Sequence, residues 1–186
     1  LGDVTGKGLP AAMLMANIQA AVRTQTLLHA IPSVCMERSN KLLYRNTDPQ
    51  KFVTIFFGII DLKENVLTYC NAGHDYPFLF QEEDKPLRLG EGGLCLGFME
   101  EWEYKEENVP IKPGAVLVLF SDGITEAFNE KEEEFGEKRL SALIAANRGK
   151  SAQELMQTII ETVQNHAENM PQMDDMTLVV IKRLLN

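Results

Sequence analysis

Cysteine is scarce, and its arrangement excludes two architectures. The three residues Cys35, Cys70 and Cys95 are odd in number, far apart and without a CxxC pair. Neither a disulfide framework nor a thiolate zinc site fits that spacing, and a reducing cytoplasm is the expected setting. Positive charge is short as well: 18 Lys and Arg face 27 Asp and Glu, for a net charge of −9. A field of that sign repels phosphate backbones and disfavours a general nucleic-acid binder. Long apolar runs are missing. A stretch such as Ala115-Val-Leu-Val-Leu-Phe120 falls far short of the ~20 residues that span a bilayer, so no membrane insertion is expected. No charged head followed by an apolar stretch opens the chain, and no secretory signal is expected. The start at Leu1, directly before a glycine-rich loop, reads as a cut through a larger protein.

What is present describes an ordinary globular chain. Its 186 residues are 45% hydrophobic and 24% charged, without internal repeats or a low-complexity linker. One domain over residues 1–186 is expected, long enough to bury roughly 70% of its unfolded surface. Leu9 to Leu28 reads as a helix, with Pro10 in its first turn and Leu14, Ile18, Ala21, Val22 and Leu28 as its buried stripe. A second helix is expected from Pro32 to about Tyr44, ended by Asn46-Thr-Asp-Pro49. Phe52 to Ile60 and Val66 to Cys70 read as a hairpin across the Asp61–Asn65 turn. Short strands are expected at Pro77–Phe80, Trp102–Val109 and Ala115–Ser121, with turns and edge pieces from Gln81 to Gly97. Ser151-Ala-Gln-Glu154 has capping-box spacing before a helix to about Asn165. Met176 to Ile181 reads as a final, well-buried strand. That order of elements argues for α+β with antiparallel sheets.

Three carboxylate-bearing segments carry the chemistry: Gly2-Asp-Val-Thr-Gly-Lys-Gly8, Phe120-Ser-Asp-Gly123 and Met173-Asp-Asp-Met-Thr177. Each sets an Asp in a glycine turn or at a strand end. Taken singly, such an Asp is most simply a turn residue. Together, half-buried carboxylates repel one another unless cations neutralise them, and oxygen-only ligands favour the hard ions Mg²⁺ or Mn²⁺. A Walker A loop is excluded, since only three residues separate Gly2 from Gly6 and Gly8 stands where the hydroxyl belongs. His74 of Asn71-Ala-Gly-His74 reads as a structural histidine, and His29 and His166 as surface or packing residues. No Ser-His-Asp arrangement is visible. The cysteines read as small core residues, and Glu130–Glu134 as a solvated acidic loop.

These segments resemble, in order and over nearly the whole chain, the bacterial protein phosphatase 2C-like (PPM) serine phosphatases that regulate sigma factors in sporulation and stress response. The resemblance rests on Gly2 to Ala12, on Phe52 to Tyr76 with Asn71-Ala-Gly-His74, on Ser121-Asp-Gly-Ile-Thr-Glu-Ala127 followed by Phe135-Gly136 and Arg139-Leu140, and on Asp174-Asp-Met-Thr177. It implies an α-β-β-α sandwich of two antiparallel sheets flanked by helices, with two Mn²⁺ or Mg²⁺ ions. By motif position, Asp3 bridges both metals, the Val4 carbonyl touches one, and Asp122 and Asp174 hold the second; Asp174 rather than Asp175 is carried over. The implied reaction is attack of a bridging water on a phosphoserine or phosphothreonine of a bacterial regulatory protein of the anti-sigma-factor antagonist type.

Two features depart from that pattern. Lys7 stands where the family often has His, and the family's further acidic motif on a strand upstream of the loop is not in this sequence. With the N-terminal strands missing, the Gly2–Gly8 loop is expected to be displaced, metal binding weak, and self-association through an open sheet edge favoured. The rival expectation is a non-catalytic module that binds a phosphorylated partner through a degenerate site.

Overall fold

The start of the chain is a strand rather than a displaced loop. In the computed structural model, which describes residues 1–28, 31–48, 51–168, 170–172 and 174–185, the elements begin with β1 (Gly2–Val4), α1 (Leu9–Leu28), α2 (Pro32–Asn46), β2 (Val53–Asp61) and β3 (Val66–Ala72). Then come β4 (Phe78–Phe80), β5 (Leu87–Arg88), β6 (Gly92–Gly93), β7 (Glu107–Pro110) and β8 (Val116–Phe120). The chain continues through α3 (Asp122–Thr125), α4 (Gly136–Ala146), α5 (Ala152–Ala167) and β9 (Leu178–Lys182). His29, Pro49 and Met173 lie outside the described residues. Among the described residues no helix is long and apolar enough to cross a membrane.

Backbone contacts divide the chain into two units, Leu1–His74 with Gly90–Pro110, and Asp75–Leu89 with Ile111–Asn186. In the first, β1 pairs antiparallel with β2 in the register Gly2↔Ile55, Asp3↔Thr54 and Val4↔Val53. Leu1 extends this ladder, its amine donating to the Phe56 carbonyl at 3.1 Å and its carbonyl accepting from the Phe56 amide at 2.9 Å. Paired backbone is what the loop reading of this glycine-rich segment left out. β2 and β3 form the expected hairpin, closed where Asp61 Oδ1 accepts the Lys63 and Glu64 amides at 2.7 and 3.1 Å. The far edge of β3 serves two strands: β7 runs antiparallel along Val66–Tyr69, and β6 runs parallel beside Asn71 and Ala72.

The expected strand from Trp102 begins only at Glu107. Before it, the Lys105 amide donates to the Gly92 carbonyl at 3.1 Å, and the Glu106 carboxylate accepts from the Ser33 amide and hydroxyl of α2 at 3.0 and 2.8 Å. The core of this unit joins Leu14 and Ile18 of α1, Cys35, Met36 and Leu43 of α2, and the inward residues of β2 and β3. The α1 stripe stops short of the sequence reading. Gln25 is its last buried residue and Leu28 is 63% exposed, because the final turn outruns the surface that covers the helix.

In the second unit the sheet order is β5-β4-β8-β9, all antiparallel. Every residue of β8 is buried, as an unbroken apolar run demands of a central strand. β9 corrects the expectation of a well-buried strand: it is the edge beside β8, its residues alternate between half-buried and exposed, and Val179 is 39% exposed. The core packs Phe78, Phe80, Val118 and Phe120 against Leu140 and Ile144 of α4 and Leu155, Ile159 and Val163 of α5. The α5 set recurs every four residues, giving one helical face. Ser151 caps α5 in a capping box with Glu154, as its spacing predicts.

Candidate functional site

The turn after β8 is tied to the segment before β9 by one buried hydroxyl. Ser121 is 6% exposed; its Oγ donates to the Asp175 carbonyl at 3.0 Å and accepts from the Thr177 amide at 2.9 Å. The Ser121 amide donates to the Thr177 carbonyl at 3.0 Å, extending the β8–β9 ladder by one residue. Gly123 follows from this closeness, since a Cβ there would lie 2.5 Å from the Asp175 carbonyl oxygen. Between Ser121 and Gly123, half-buried Asp122 opens α3, and its carbonyl accepts the Glu126 amide at 2.7 Å.

Two further carboxylates, Glu126 and Asp75, feel the charge of Asp122. Glu126, four residues on, has its carboxyl pushed above the usual range by burial first, then by Asp122, Glu134 and Asp174. Asp75 is pushed up to about 6, by burial first and then by Asp122, Glu137 and Glu126, against a smaller opposing pull from Arg88. Asp174 is exposed, and its Oδ1 accepts the Asp175 amide at 2.8 Å. The second unit therefore brings Asp122 and Asp174 within electrostatic reach of the same carboxylate, Glu126.

The first unit holds Asp3 and Val4. Asp3 is exposed on β1 opposite Thr54, and Val4 lies opposite Val53. Thr54 Oγ1 is 3.0 Å from His74 Nδ1, which connects the partner residue of Asp3 to the Asn71–His74 turn. His74 is 4% exposed. Asn71 spans that turn twice: its Oδ1 accepts the His74 amide at 2.8 Å and its Nδ2 donates to the His74 carbonyl at 3.0 Å. Gly73 has φ +72°, and a Cβ there would meet the Cys95 amide nitrogen at 2.8 Å.

Sequence reasoning missed Asp75 and Glu126. Both had a signal: Asp75 directly follows Asn-Ala-Gly-His, and Glu126 stands at helical i+4 from Asp122. The cysteine thiols are all shifted upward. Burial, then Glu106 and Glu91, pushes the Cys70 thiol up to about 12, and burial also raises Cys35 and the half-buried Cys95. Among the described residues no three His, Cys, Asp or Glu side chains form a ready-made metal cage. The donor chemistry nonetheless suits a hard divalent cation: the donors are oxygen only, and their mutual repulsion is what such a charge relieves.

Solved structures define the class. The SiaA-PP2C domain of Pseudomonas aeruginosa matches with a TM-score of 0.85 at 18% identity, covering 97% of this chain and 73% of that one. The PP2C phosphatase domain of SpoIIE from Bacillus subtilis, solved with a fragment of its regulatory domain, gives 0.77 at 22% identity, covering 97% and 52%. The fold is α+β of the protein phosphatase 2C kind, with two sheets and flanking helices. The family model Stage II sporulation protein E (SpoIIE) matches residues 1–184, and the chain belongs to that family. Phosphoserine phosphatase RsbU of Bacillus subtilis (strain 168) is 33% identical over 187 residues, covering 98% of this chain and 54% of RsbU. The chain thus spans about half the length of that relative.

Proposed function

We propose that residues 1–186 are a single domain of a metal-dependent, cytoplasmic protein serine/threonine phosphatase. Its substrate is a phosphoserine or phosphothreonine on a bacterial regulatory protein of the anti-sigma-factor antagonist type. The observation that carries this reading is the crowding of Asp75, Asp122, Glu126 and Asp174 in a family whose relative RsbU is named a phosphoserine phosphatase. Two Mn²⁺ or Mg²⁺ ions, when bound, would supply an acidified water and screen the phosphate charge. Asp122 and Asp174 are the candidate ligands in the second unit, and Asp3 with the Val4 carbonyl in the first. Ser121 fixes the backbone beside Asp174, Gly123 admits the close approach of Asp175, and Glu126 keeps the surroundings of Asp122 anionic.

A second reading, phosphoprotein binding without turnover, draws on the lack of a ready-made metal cage among the described residues. One assay separates the two. The full-length protein is mixed with a phosphoserine peptide under Mn²⁺, Mg²⁺ or chelator, and phosphate release is followed. Release that requires the metal supports the phosphatase; peptide binding with no release under either metal supports the second reading.

A further inference from the structure

In the second unit a cleft of about 590 Å³ lies between the β4–β5 connection and α4. Its size falls within the roughly 300–1,000 Å³ of sites that hold organic ligands. Pro86, Ala142 and Ala145 give it apolar surface, over a Phe78 ring that is itself only 2% exposed. From α4 come Lys138, Ser141, Ala142 and Ala145, whose i, i+3, i+4 and i+7 spacing puts them on one face of the helix. Short side chains at 141, 142 and 145 leave the trough open.

The charges around it are unequally satisfied. Glu137 is held by Arg88 at 2.6 Å, and Arg88 itself lies over the rings of Tyr76 and Phe78 at 5.3 and 5.8 Å. Asp84 faces Arg148 at 3.4 Å. With both acids paired, Lys85 and Lys138 are the remaining charges, and among the described residues neither has an ion-pair partner. The lining thus holds three cations, Lys85, Arg88 and Lys138, against two acids, Asp84 and Glu137, on a chain whose net charge is −9. Arg88 and Glu137 of its lining also lie within electrostatic reach of Asp75 in the same unit.

The geometry points to a docking groove for an acidic segment of the phosphoprotein substrate, anchored by an apolar side chain between Pro86 and Ala142 and read by Lys85 and Lys138. This rests on the phosphatase reading and adds its substrate preference. Opposite charges across such a rim steer encounter and select the partner, whereas the apolar trough supplies the anchor.

The test uses the full-length protein, a phosphoserine peptide flanked by leucine and glutamates, its lysine-flanked counterpart, and p-nitrophenyl phosphate. The parent is expected to prefer the acidic peptide. Lys85→Glu with Lys138→Glu raises KM for that peptide about tenfold, leaving kcat and p-nitrophenyl phosphate hydrolysis unchanged. Ala142→Trp, which fills the trough without altering charge, raises KM for both peptides. Fluorescence anisotropy of the acidic peptide in chelator reads the same loss without turnover. A protein that binds this peptide in a lysine-dependent way yet releases no phosphate from any substrate overturns the phosphatase reading alone. Equal affinity for the two peptides, or a KM and Kd unmoved by the lysine reversals, overturns the groove.

Discussion

Ser121 and Asp175 are joined side chain to backbone across 54 residues of sequence, and the same hydroxyl also receives the Thr177 amide. Ser121→Ala strands that amide and removes a donor from the Asp175 carbonyl. A loss of about 1–3 kcal/mol is expected, read as a lower urea midpoint, together with a several-fold lower kcat because Asp174 lies on the loosened segment. A variant with the parent's midpoint and kcat would show that the hydroxyl fixes nothing.

Asp122→Asn removes a charge from the first turn of a short helix rather than from a packed core. Metal-dependent phosphate release should fall on the order of a hundredfold or more, with calorimetric Mn²⁺ affinity weakened. In chelator the variant should melt no lower than the parent, since repulsion with Glu126 and Asp75 is relieved. Near-parent turnover would remove Asp122 from the ligand set.

Asp75 gives stability a pH dependence of defined sign. Its carboxyl titrates near 6 in the folded protein against an ordinary 3.8, so the folded state disfavours the ionised form. The contribution is therefore fully present below pH ~4, is lost as pH rises through 6, and stays lost above it. Asp75→Asn should flatten that slope and stabilise the metal-free protein at pH 7 by on the order of 1 kcal/mol, after discounting for solvent screening of a half-exposed group. Urea midpoints at pH 5 and 7.5 in chelator measure it; identical slopes in parent and variant would contradict the assignment.

Asn71→Ala breaks both bonds that hold the His74 backbone across the Gly73 turn. The buried amide and carbonyl it leaves behind should lower stability by about 2–4 kcal/mol. A midpoint shift below half a kcal/mol would mean that the turn holds itself.

Legibility in the sequence followed the length of the signal. The β2–β3 hairpin, the β8 run and the α5 capping box were readable because alternation, unbroken apolarity and Ser-x-x-Glu are local patterns. β1 was not, because a three-residue strand holding a glycine has no periodicity and exists only through its pairing with β2. α4 was missed where it opens at Gly136 behind the acidic 130–134 run, which itself is solvated as expected. β9 looked fully buried because its apolar residues do not reveal which strand lies at an edge. At the candidate site, the motifs single out Asp122 and Asp174, and the structure adds that both lie within electrostatic reach of Glu126. Asp75 is marked only by its place after Asn-Ala-Gly-His, because its raised pKa comes from burial first and then from Asp122, Glu137 and Glu126, 47 to 62 residues away.

The division of the chain into Leu1–His74 with Gly90–Pro110, and Asp75–Leu89 with Ile111–Asn186, has a consequence during synthesis. Neither unit is a continuous stretch, so the ribosome cannot deliver one finished before beginning the other. β3 lacks the β6 and β7 backbones until residues through Pro110 have left the exit tunnel. By then β4, already made, still waits for β8. A nascent chain stalled near Arg88 would hold the hairpin but neither complete sheet, which makes that window the natural point of chaperone engagement.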